Sequence, residues 1–591
     1  MQPFIHINQK EVKKMKKLIA SVLVGAMVLS FAACGDGTDN NANNSAGGNQ
    51  GNTGNTQTTN QSTNQNTGGG NEDAANAFGL VDGKFAETKH ITVEVYDRNN
   101  DGGTDPTDNM YTDYIKQGML ETYNVAVEFV AVDRWTEVDQ INNLLAAGDA
   151  PDICLTYDYP TIQAYADMGG VQDLSSYVDD YRELLPHLWA WLGEDNIYYD
   201  KDPNTGTIWA LEGKRANIRR INTFVRKDWL DKLGMSEPTT LQEFEDMLVA
   251  FKDNADTLLG ADASKMVPFS ISYDVGWRAA NLIESFIDPN ITDKEFYING
   301  FDDRKFTENG TKEAIRVLNK WYNDGLIWKD FALYSSGDSQ EDDMIKAGYV
   351  GAFIHSWDYP YQTGTAITTT LKEIVGPEAD YIAVDCFKNS AGKYAKYSYS
   401  AAGDRKIFFP NTNEEPLASL LYLDWISDPA HIEYLQIGEE GHTHEVLEGG
   451  AVAVMAAEAP YIQNSGQNID LTITCNGLNL SSEDITLKSM ANNYGGCDAN
   501  IVLKAMEVSL NDSILPQAVN VGTIEAEAAM GNNLSSKRDV VFDNAIVASV
   551  ADFDKVWDDG MADYMSAGGQ AIKDERQAKW EATFGTADML P

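Results

Sequence analysis

The sequence predicts an α/β protein with more than one domain. Between residues 91 and 156, strand-like and helix-like segments alternate in the order strand, helix, strand, helix, strand. This order is typical of a parallel sheet covered by helices. About 500 residues lie between Lys89 and the last residue, and a single hydrophobic core rarely grows to that size. We therefore expect two or more domains.

Each element of this alternation has its own signal. The strands alternate apolar and polar residues or are wholly apolar, and the second helix stops at Gly148. The predicted elements are strand 91–96, a helix through 111–120, strand 125–130, helix 138–147 and strand 153–156. Ligands of such sheets bind at the carboxyl ends of the strands, where this chain is rich in polar and aromatic residues.

A second region begins with a predicted pair of helices. Residues 224–234 end at a glycine, and Thr240 with Glu243 forms a capping box at the start of the next helix. Farther along, apolar residues recur at helical spacing between 314 and 322. We expect these aromatic and aliphatic side chains to form the core of that region.

Residues 1–33 have the pattern of a secretory signal peptide. Lysines precede an apolar run from Leu18 to Ala33, which ends in small residues. The segment from Ser30 to Gly35 resembles a bacterial lipobox, in which Cys34 becomes the lipidated first residue of the mature protein. A plain signal peptide with a coincidental cysteine is the alternative.

Residues 34–85 are predicted to be the lipidated cysteine and a disordered linker. The stretch 35–76 consists almost wholly of Gly, Asn, Thr, Gln, Ser, Ala and Asp. Such a composition cannot bury enough apolar surface to offset its ordering entropy. The folded body is therefore expected at the extracytoplasmic face of the bacterial cell membrane, held by a lipid anchor.

The charge of the chain limits its partners. It has 90 acidic and 44 basic residues, and its formal net charge is -46. Nucleic acids and anionic lipid headgroups need a basic face, so neither is an expected partner. No apolar run after Ala33 approaches the roughly 20 residues of a membrane-spanning helix.

The four cysteines after Cys34 do not determine a disulfide pattern. Cys154 and Cys386 lie in apolar runs and are expected to be buried. Cys475 and Cys497 could form a disulfide, but four cysteines allow three full pairings. The chain has no Cys-x-x-Cys motif, so we expect no zinc site.

One segment has the pattern of half a calcium loop. Residues 97–102 read Asp-Arg-Asn-Asn-Asp-Gly, and Asp108 occupies the twelfth position. The flanking helices are missing, and such clusters are often only turns. Calcium therefore stays an alternative, and no other cofactor is expected.

Several segments resemble the extracellular solute-binding proteins, family 1, which serve carbohydrate ABC importers. The resemblance extends from about residue 90 to the end of the chain. The segments that carry it are 225–234 with 238–244, 144–152, 348–357, 438–442 and 563–575.

The resemblance implies a two-lobed, periplasmic-binding-protein-like (type II) fold. Each lobe would be a mixed sheet flanked by helices, and crossing hinge segments near Asn222, Ser398 and Gly441 would join them. The first lobe would contain residues 86–222, with about 400–440 returning to it. The second would contain 223–399 and 441–591. The implied partners are a carbohydrate and the permease subunits of an ABC importer, and the protein is expected to be a monomer.

A carbohydrate site needs flat aromatic rings for the CH faces of the sugar and polar groups for its hydroxyls. Residues of these types follow the predicted strands. The candidate ligand-binding residues are Asp97, Arg98, Asn109, Tyr157, Asp158, Trp277, Trp357 and Tyr359. Each has a structural alternative: helix capping for the Asp and Asn residues, ion pairing for Arg98, and core packing for the aromatic ones. Trp135 either lines the cleft or starts a surface helix.

The protein is not expected to be an enzyme. The chain has no serine nucleophile elbow, no His-Glu-x-x-His motif and no glycine-rich phosphate loop. A glycoside hydrolase remains an alternative because carboxylates are abundant. A surface carbohydrate-binding adhesin and a peptide-binding transport receptor are the others.

Overall fold

The computed structural model describes most of the chain after residue 78. The described residues are 79–98, 105–202, 205–299, 310–334, 338–402, 404–462, 470–515, 519, 521–522 and 524–590. The predicted signal peptide, Cys34 and most of the predicted linker lie outside them, as do residues 99–104 of the possible calcium loop.

The strands are short except in two central pairs. They are β1 (Leu80–Val81), β2 (Lys84–Phe85), β3 (Lys89–Asp97), β4 (Val125–Asp133), β5 (Cys154–Thr156), β6 (Leu211–Glu212), β7 (Lys214–Arg215), β8 (Ile221–Arg226), β9 (Val267–Ser270), β10 (Val350–Ser356), β11 (Tyr381–Val384), β12 (Lys406–Phe408), β13 (His444–Val446), β14 (Val452–Val454) and β15 (Cys475–Asn476).

Helices fill most of the remaining described chain. They are α1 (Met110–Tyr123), α2 (Glu137–Ala147), α3 (Tyr159–Asp167), α4 (Ser175–Asp180), α5 (Pro186–Ile197), α6 (Lys227–Leu233), α7 (Leu241–Asp253), α8 (Ala255–Leu259), α9 (Val275–Arg278), α10 (Ala280–Ser285), α11 (Asp293–Ile298), α12 (Thr311–Asn323), α13 (Gln340–Lys346), α14 (Ile367–Val375), α15 (Pro416–Ser427), α16 (Pro429–Ile437), α17 (Glu483–Asn492), α18 (Ala499–Leu510), α19 (Glu525–Val547), α20 (Phe553–Tyr564) and α21 (Gln570–Phe584).

The first lobe contains a mixed sheet. Strands β3 and β4 pair in parallel along their full length, and a parallel bridge joins Val93 to Ile153 just before β5. Strand β12 then lies antiparallel between β5 and β6. The order across the sheet is therefore β4, β3, β5, β12, β6. The predicted alternation of strands and helices between 91 and 156 is confirmed.

The second lobe has its own mixed sheet in the order β11, β8, β10, β9. Strands β9 and β10 are parallel, whereas β8 is antiparallel to both of its neighbours. The two sheets share no strand, and each is covered by its own helices. The predicted α/β fold with a mixed sheet in each lobe is thus confirmed.

Each lobe has a separate hydrophobic core. Val93, Leu155 and Leu421 belong to the core of the first lobe, and Phe269 and Trp321 belong to that of the second. Helices α15 and α16 pack in the first lobe after the chain has passed through the second. Leu471 and Ile473 also join the first core, so the returning chain extends beyond the 400–440 segment inferred from the sequence.

The predicted helix at 224–234 is partly wrong. Phe224, Val225 and Arg226 end strand β8, and only residues 227–233 are helical. Phe224 and Val225 are fully buried because β8 is an inner strand with a core on each face, and the sheet therefore outweighs the local helical pattern. The predicted end is confirmed, since Gly234 has φ 65° and follows the last helical turn.

The start of α7 matches the predicted capping box except that one of its two hydrogen bonds has a different donor. The Thr240 hydroxyl accepts a hydrogen bond from the Glu243 backbone N–H at 3.2 Å. The Glu243 carboxylate, however, accepts from the backbone N–H of Thr239 at 2.8 Å rather than from that of Thr240. Residues 311–323 form the predicted helix α12, in which Trp321 is fully buried.

Within the described chain, three crossing segments connect the lobes, and the first lies between the other two. The Gly213 N–H donates to the Arg405 carbonyl at 2.8 Å, and the Lys214 N–H donates to the Thr474 carbonyl at 2.9 Å. These bonds join residues 213–220 to the second crossing, at about 385–405, and to the third, at about 474–482. The third lies well after Gly441, the position inferred from the sequence.

A buried ion pair ties the elements of the second lobe together. Arg278 on α9 and Glu341 on α13 are 1% and 6% exposed, and Nη2 donates to Oε1 at 2.7 Å. Arg278 Nε also donates to the Ile354 carbonyl of β10, and the Ser270 hydroxyl at the end of β9 donates to Glu341. Four elements therefore depend on one carboxylate.

We predict that Glu341→Gln lowers the free energy of unfolding by about 3 to 5 kcal/mol, because the change leaves the Arg278 guanidinium buried without a counter-charge. Urea denaturation followed by circular dichroism measures this loss. Asp231→Asn is the control, because Asp231 pairs with Lys227 on the exposed surface of α6. That change should cost less than about 1 kcal/mol. Equal losses in the two variants would contradict the prediction.

Candidate ligand-binding site

The carboxyl edges of the two sheets lie at opposite ends of the same crossing segments. In the first lobe, the edge is formed by the ends of β3, β4 and β5 and the start of β12. In the second lobe, it is formed by the ends of β9 and β10 and the start of β8. The first crossing runs from the end of β6, at one edge, to the start of β8, at the other edge. Because this segment connects the two edges, we define the candidate ligand site as both of them together.

An aromatic and arginine cluster occupies the edge of the first lobe. The rings of Tyr96 and Tyr157 stack with centroids 6.3 Å apart, and the Arg134 guanidinium lies 4.2 Å from the centre of the Tyr157 ring. Arg134 also donates to the Glu137 carboxylate at 3.1 Å. The adjacent Trp135 is 70% exposed, so its ring is available to a ligand.

Two more arginines meet at a buried carboxylate behind this cluster. Arg98 Nη2 and Arg405 Nη1 both donate to Asp470 Oδ1, at 3.0 and 3.3 Å. Asp470 is 3% exposed, and Arg405 is fully buried. Nearby, burial raises the pKa of Glu94, whose carboxylate accepts from the Leu155 N–H at 2.7 Å. These contacts fix the arginines in position.

The edge of the second lobe presents Trp277. Its backbone N–H donates to Asp274 Oδ1 at 3.3 Å, so Asp274 caps the short helix α9. The Arg220 guanidinium lies 5.2 Å from the centre of the Trp277 ring. Arg220 Nη1 in turn donates to the buried Glu284 carboxylate at 2.5 Å. Trp277 is half-buried, which leaves part of the ring accessible.

His355 and Tyr359 form a stacked pair at the end of β10. Their ring centroids are 3.4 Å apart, and the Tyr359 hydroxyl donates to Asp342 Oδ1 at 3.0 Å. The Ser356 N–H donates to His355 Nδ1 at 2.8 Å. Burial and the nearby charge of Arg278 lower the pKa of His355 to about 2. The imidazole is therefore neutral at physiological pH.

Trp357 packs into the second lobe instead of standing in the open. It is 5% exposed, and its ring lies edge-on to Tyr494 with centroids 6.0 Å apart. Its backbone N–H donates to the Arg220 carbonyl at 3.1 Å. The neighbouring Asp358 accepts from the Tyr494 hydroxyl at 2.8 Å. The structure therefore gives Trp357 a packing role, and the expectation that it is an open stacking platform is not supported by its burial.

Two predicted site residues cap helices. Asn109 Oδ1 accepts from the backbone N–H groups of Tyr111 and Thr112, and it begins α1. Asp158 Oδ2 accepts from the Thr161 N–H at 3.0 Å and begins α3. Asn109 Oδ1 and Asp158 Oδ2 are therefore engaged in helix capping. Asp97, Arg98 and Tyr157 lie together at the edge of the first lobe, and contact of these residues with a ligand remains a prediction.

Four residues at these edges were not predicted from the sequence: Arg134, Arg220, Arg405 and His355. Arg134 could have been found, because it directly follows the end of β4. Arg220 and Arg405 precede antiparallel strands, so their place at the carboxyl edge depends on strand direction. Sequence alone does not give that direction.

The four cysteines that the structure describes are free. Cys154 and Cys386 are buried, as predicted, and Cys475 and Cys497 are not bonded to each other. The described residues contain no group of three or more His, Cys, Asp or Glu side chains that could hold a metal ion. In the described part of the chain, no helix is long and apolar enough to cross a membrane.

The second lobe also has a cavity of about 220 Å³. Ile287, Phe296 and Tyr397 are among the residues that line it. None of the predicted site residues lines this cavity, but Glu284, the partner of Arg220, does.

We predict that acid destabilises the wild type more than the variant His355→Asn. Because the folded state holds this imidazole neutral and the unfolded state protonates it below about pH 6.5, folding stability falls as the pH drops through that value. Between pH 7 and pH 5 the wild type should lose about 2 kcal/mol more than the variant. Urea titrations at several pH values measure this difference. Parallel stability curves for the two proteins would contradict the assignment.

Comparisons with known proteins agree with the architecture. A family model described as bacterial extracellular solute-binding protein matches residues 112–435. The solved structure of an extracellular solute-binding protein from Bifidobacterium longum subsp. infantis is similar, with a TM-score of 0.57 and 17% identity. The alignment covers 84% of this chain and 98% of that one. This likeness shows the type II fold of the two lobes.

Two curated relatives come from Bacillus subtilis (strain 168). Lipoprotein LipO is 25% identical over 323 residues, which are 53% of this chain and 60% of LipO. The polygalacturonan/rhamnogalacturonan-binding protein YtcQ is 25% identical over 240 residues, which are 39% of this chain and 44% of YtcQ. The matches therefore span 60% or less of the length of these relatives. Since the family model covers more than half of the chain, the protein belongs to the bacterial extracellular solute-binding proteins.

Proposed function

We propose that this protein is an extracytoplasmic receptor of a carbohydrate ABC importer. It is tethered to the cell membrane through a lipid on Cys34, and it captures an oligosaccharide between its two lobes. The closed, loaded form then delivers the sugar to the permease subunits. The receptor acts as a monomer and carries out no catalysis.

Trp135 is the observation that carries this proposal. The indole of Trp135 is 70% exposed after the carboxyl end of β4, the edge strand of the first lobe, so packing does not explain its position. The flat face of an indole suits the CH face of a sugar ring. The Arg134 guanidinium lies 5.8 Å from the centre of the Trp135 ring and 4.2 Å from that of Tyr157, so it supplies donors between two rings. The cluster therefore combines the two kinds of group that a sugar needs.

The relatives support a carbohydrate as the ligand class. YtcQ is named for binding polygalacturonan and rhamnogalacturonan. The second lobe adds Trp277 and the Arg220 guanidinium at its own edge. A ligand that touches both edges stabilises the closed arrangement, because only that arrangement lets both lobes contact it.

Binding and scattering measurements test the function as a whole. The purified protein is screened by thermal shift against oligogalacturonides, fructo-oligosaccharides, malto-oligosaccharides and a peptide library, and positive compounds are measured by calorimetry. We expect a carbohydrate to bind and to reduce the radius of gyration in small-angle scattering. Peptide binding alone, sugar cleavage, or sugar binding without compaction would contradict the proposal in favour of a peptide receptor, a glycoside hydrolase or an adhesin.

We predict that Trp135→Ala weakens binding of the sugar identified in that screen by about 1 to 2 kcal/mol, or roughly 5- to 30-fold in Kd, because a stacking face is lost. Its melting temperature should stay close to that of the wild type, since the ring is exposed. Trp357→Ala is the matched control: it should lower the stability by about 3 to 5 kcal/mol, because it removes a buried indole. An unchanged Kd for Trp135→Ala would exclude that ring from the site.

We predict that Cys34→Ser releases the mature protein from the membrane, because serine cannot accept the thioether-linked lipid. Detergent phase partitioning of expressed protein measures this change. The wild type should partition into the detergent phase and the variant into the aqueous phase. Aqueous partitioning of both proteins would favour a plain signal peptide.

A further inference from the structure

Helices that follow the family-matched region form part of the second lobe. The family model ends at residue 435, whereas α19 begins at Glu525. Leu534, Val541 and Phe542 of α19 nevertheless share a core with Val275 of α9. Helix α19 therefore packs directly behind the loop that carries Trp277.

That loop contains a residue in an uncommon backbone conformation. Asp274 has φ 48° and ψ 65°, a left-handed conformation that residues other than Gly, Asn and Asp rarely adopt. Its carboxylate accepts from the Trp277 N–H, which fixes the first turn of α9. Such a conformation persists where the surrounding structure holds it in place. Asp274 is held by this cap, and a charged group of a neighbouring element also lies near its carboxylate.

Arg538 of α19 is the neighbouring cation. Its Nη2 lies 3.7 Å from Asp274 Oδ1, and the residue is only 4% exposed. Arg538 is itself fixed by Asp539, whose Oδ1 accepts from Nε at 3.0 Å and from Nη2 at 2.9 Å. The guanidinium therefore has one defined position, from which it attracts the carboxylate of Asp274.

We propose that Arg538 is a positioning residue for the ligand site, which acts on Trp277 through Asp274. It holds the Asp274 loop in its left-handed turn and thereby sets the orientation of the Trp277 ring beneath the Arg220 guanidinium. The C-terminal helices are then part of the binding apparatus. The expected change in ligand affinity rests on the proposed function. The orientation of the Trp277 ring does not, because Arg538 sets it in the ligand-free protein.

A ligand-free experiment tests the positioning directly. The protein is labelled with 5-fluorotryptophan, and the fluorine resonance of Trp277 is assigned with the variant Trp277→Phe. We expect Arg538→Gln to shift this resonance or to split it, while the resonances of Trp229 and Trp321 in the core keep their positions. A Trp277 resonance identical to that of the wild type would overturn the proposal.

Arg576→Gln is the matched control. Arg576 is also a buried arginine of the C-terminal helices, 3% exposed, and it donates to the Glu527 carboxylate at 2.8 Å. It packs near Tyr297, in a different cluster from Trp277. We expect this variant to lose stability without moving the Trp277 resonance. An equal change in both variants would mean a general loss of packing and would overturn the proposal.

Asp274→Asn covers the case in which Arg538→Gln does not fold. Asparagine tolerates the left-handed turn and still caps a helix, but it lacks the charge that Arg538 attracts. The Trp277 resonance should shift or split in this variant, while the resonances of Trp229 and Trp321 keep their positions. A Trp277 resonance identical to that of the wild type would overturn the proposal.

A binding measurement with trigalacturonate as the probe separates the two proposals. If the wild type binds it, we expect Arg538→Gln to raise the Kd at least five-fold and Arg576→Gln to leave it unchanged. An equal Kd in wild type and Arg538→Gln would overturn the link to affinity. If the wild type binds no carbohydrate of the screen, the proposed function fails, while the fluorine resonance still decides the positioning role.

Discussion

The structure depends on the backbone hydrogen bonds that residues 213–216 make with the two other crossing segments. The two lobes have separate sheets and separate cores, so they are joined mainly by these bonds and by contacts of the β13–β14 hairpin with α17. A side chain at Gly213 would place its first carbon 2.9 Å from the Ile473 carbonyl oxygen and from Arg405 Cγ. Only glycine allows the three segments to approach so closely, and this approach fixes where each sheet edge lies.

Local sequence patterns predicted much of the first lobe. Its strands and helices follow each other closely, so periodicity and caps identify them one by one. The second lobe was harder, because β8 lies between two strands that come much later in the chain. The burial of Phe224 depends on those distant partners, so the local helical pattern gave a wrong prediction at this position. The late return of Leu471 and Ile473 to the first lobe is likewise a long-range packing effect.

The candidate site was predicted only in part, for a similar reason. A polar residue after a strand can bind a ligand or cap the next helix, and Asn109 and Asp158 take the capping role. Trp357 follows a strand but turns into the core, a choice that depends on Tyr494 far along the chain. The ion pairs of Arg98 and Arg405 with Asp470 also join distant residues. Sequence order alone does not indicate such partners.

The number of crossings has a mechanical consequence. Three passages are described, and an odd number leaves the two ends of the folded body in opposite lobes. Leu80 packs in the first lobe, whereas the C-terminal helices pack in the second. A membrane tether that precedes residue 80 would therefore pull on the first lobe alone. The first lobe would stay close to the membrane, and the second lobe would open and close without moving the tether.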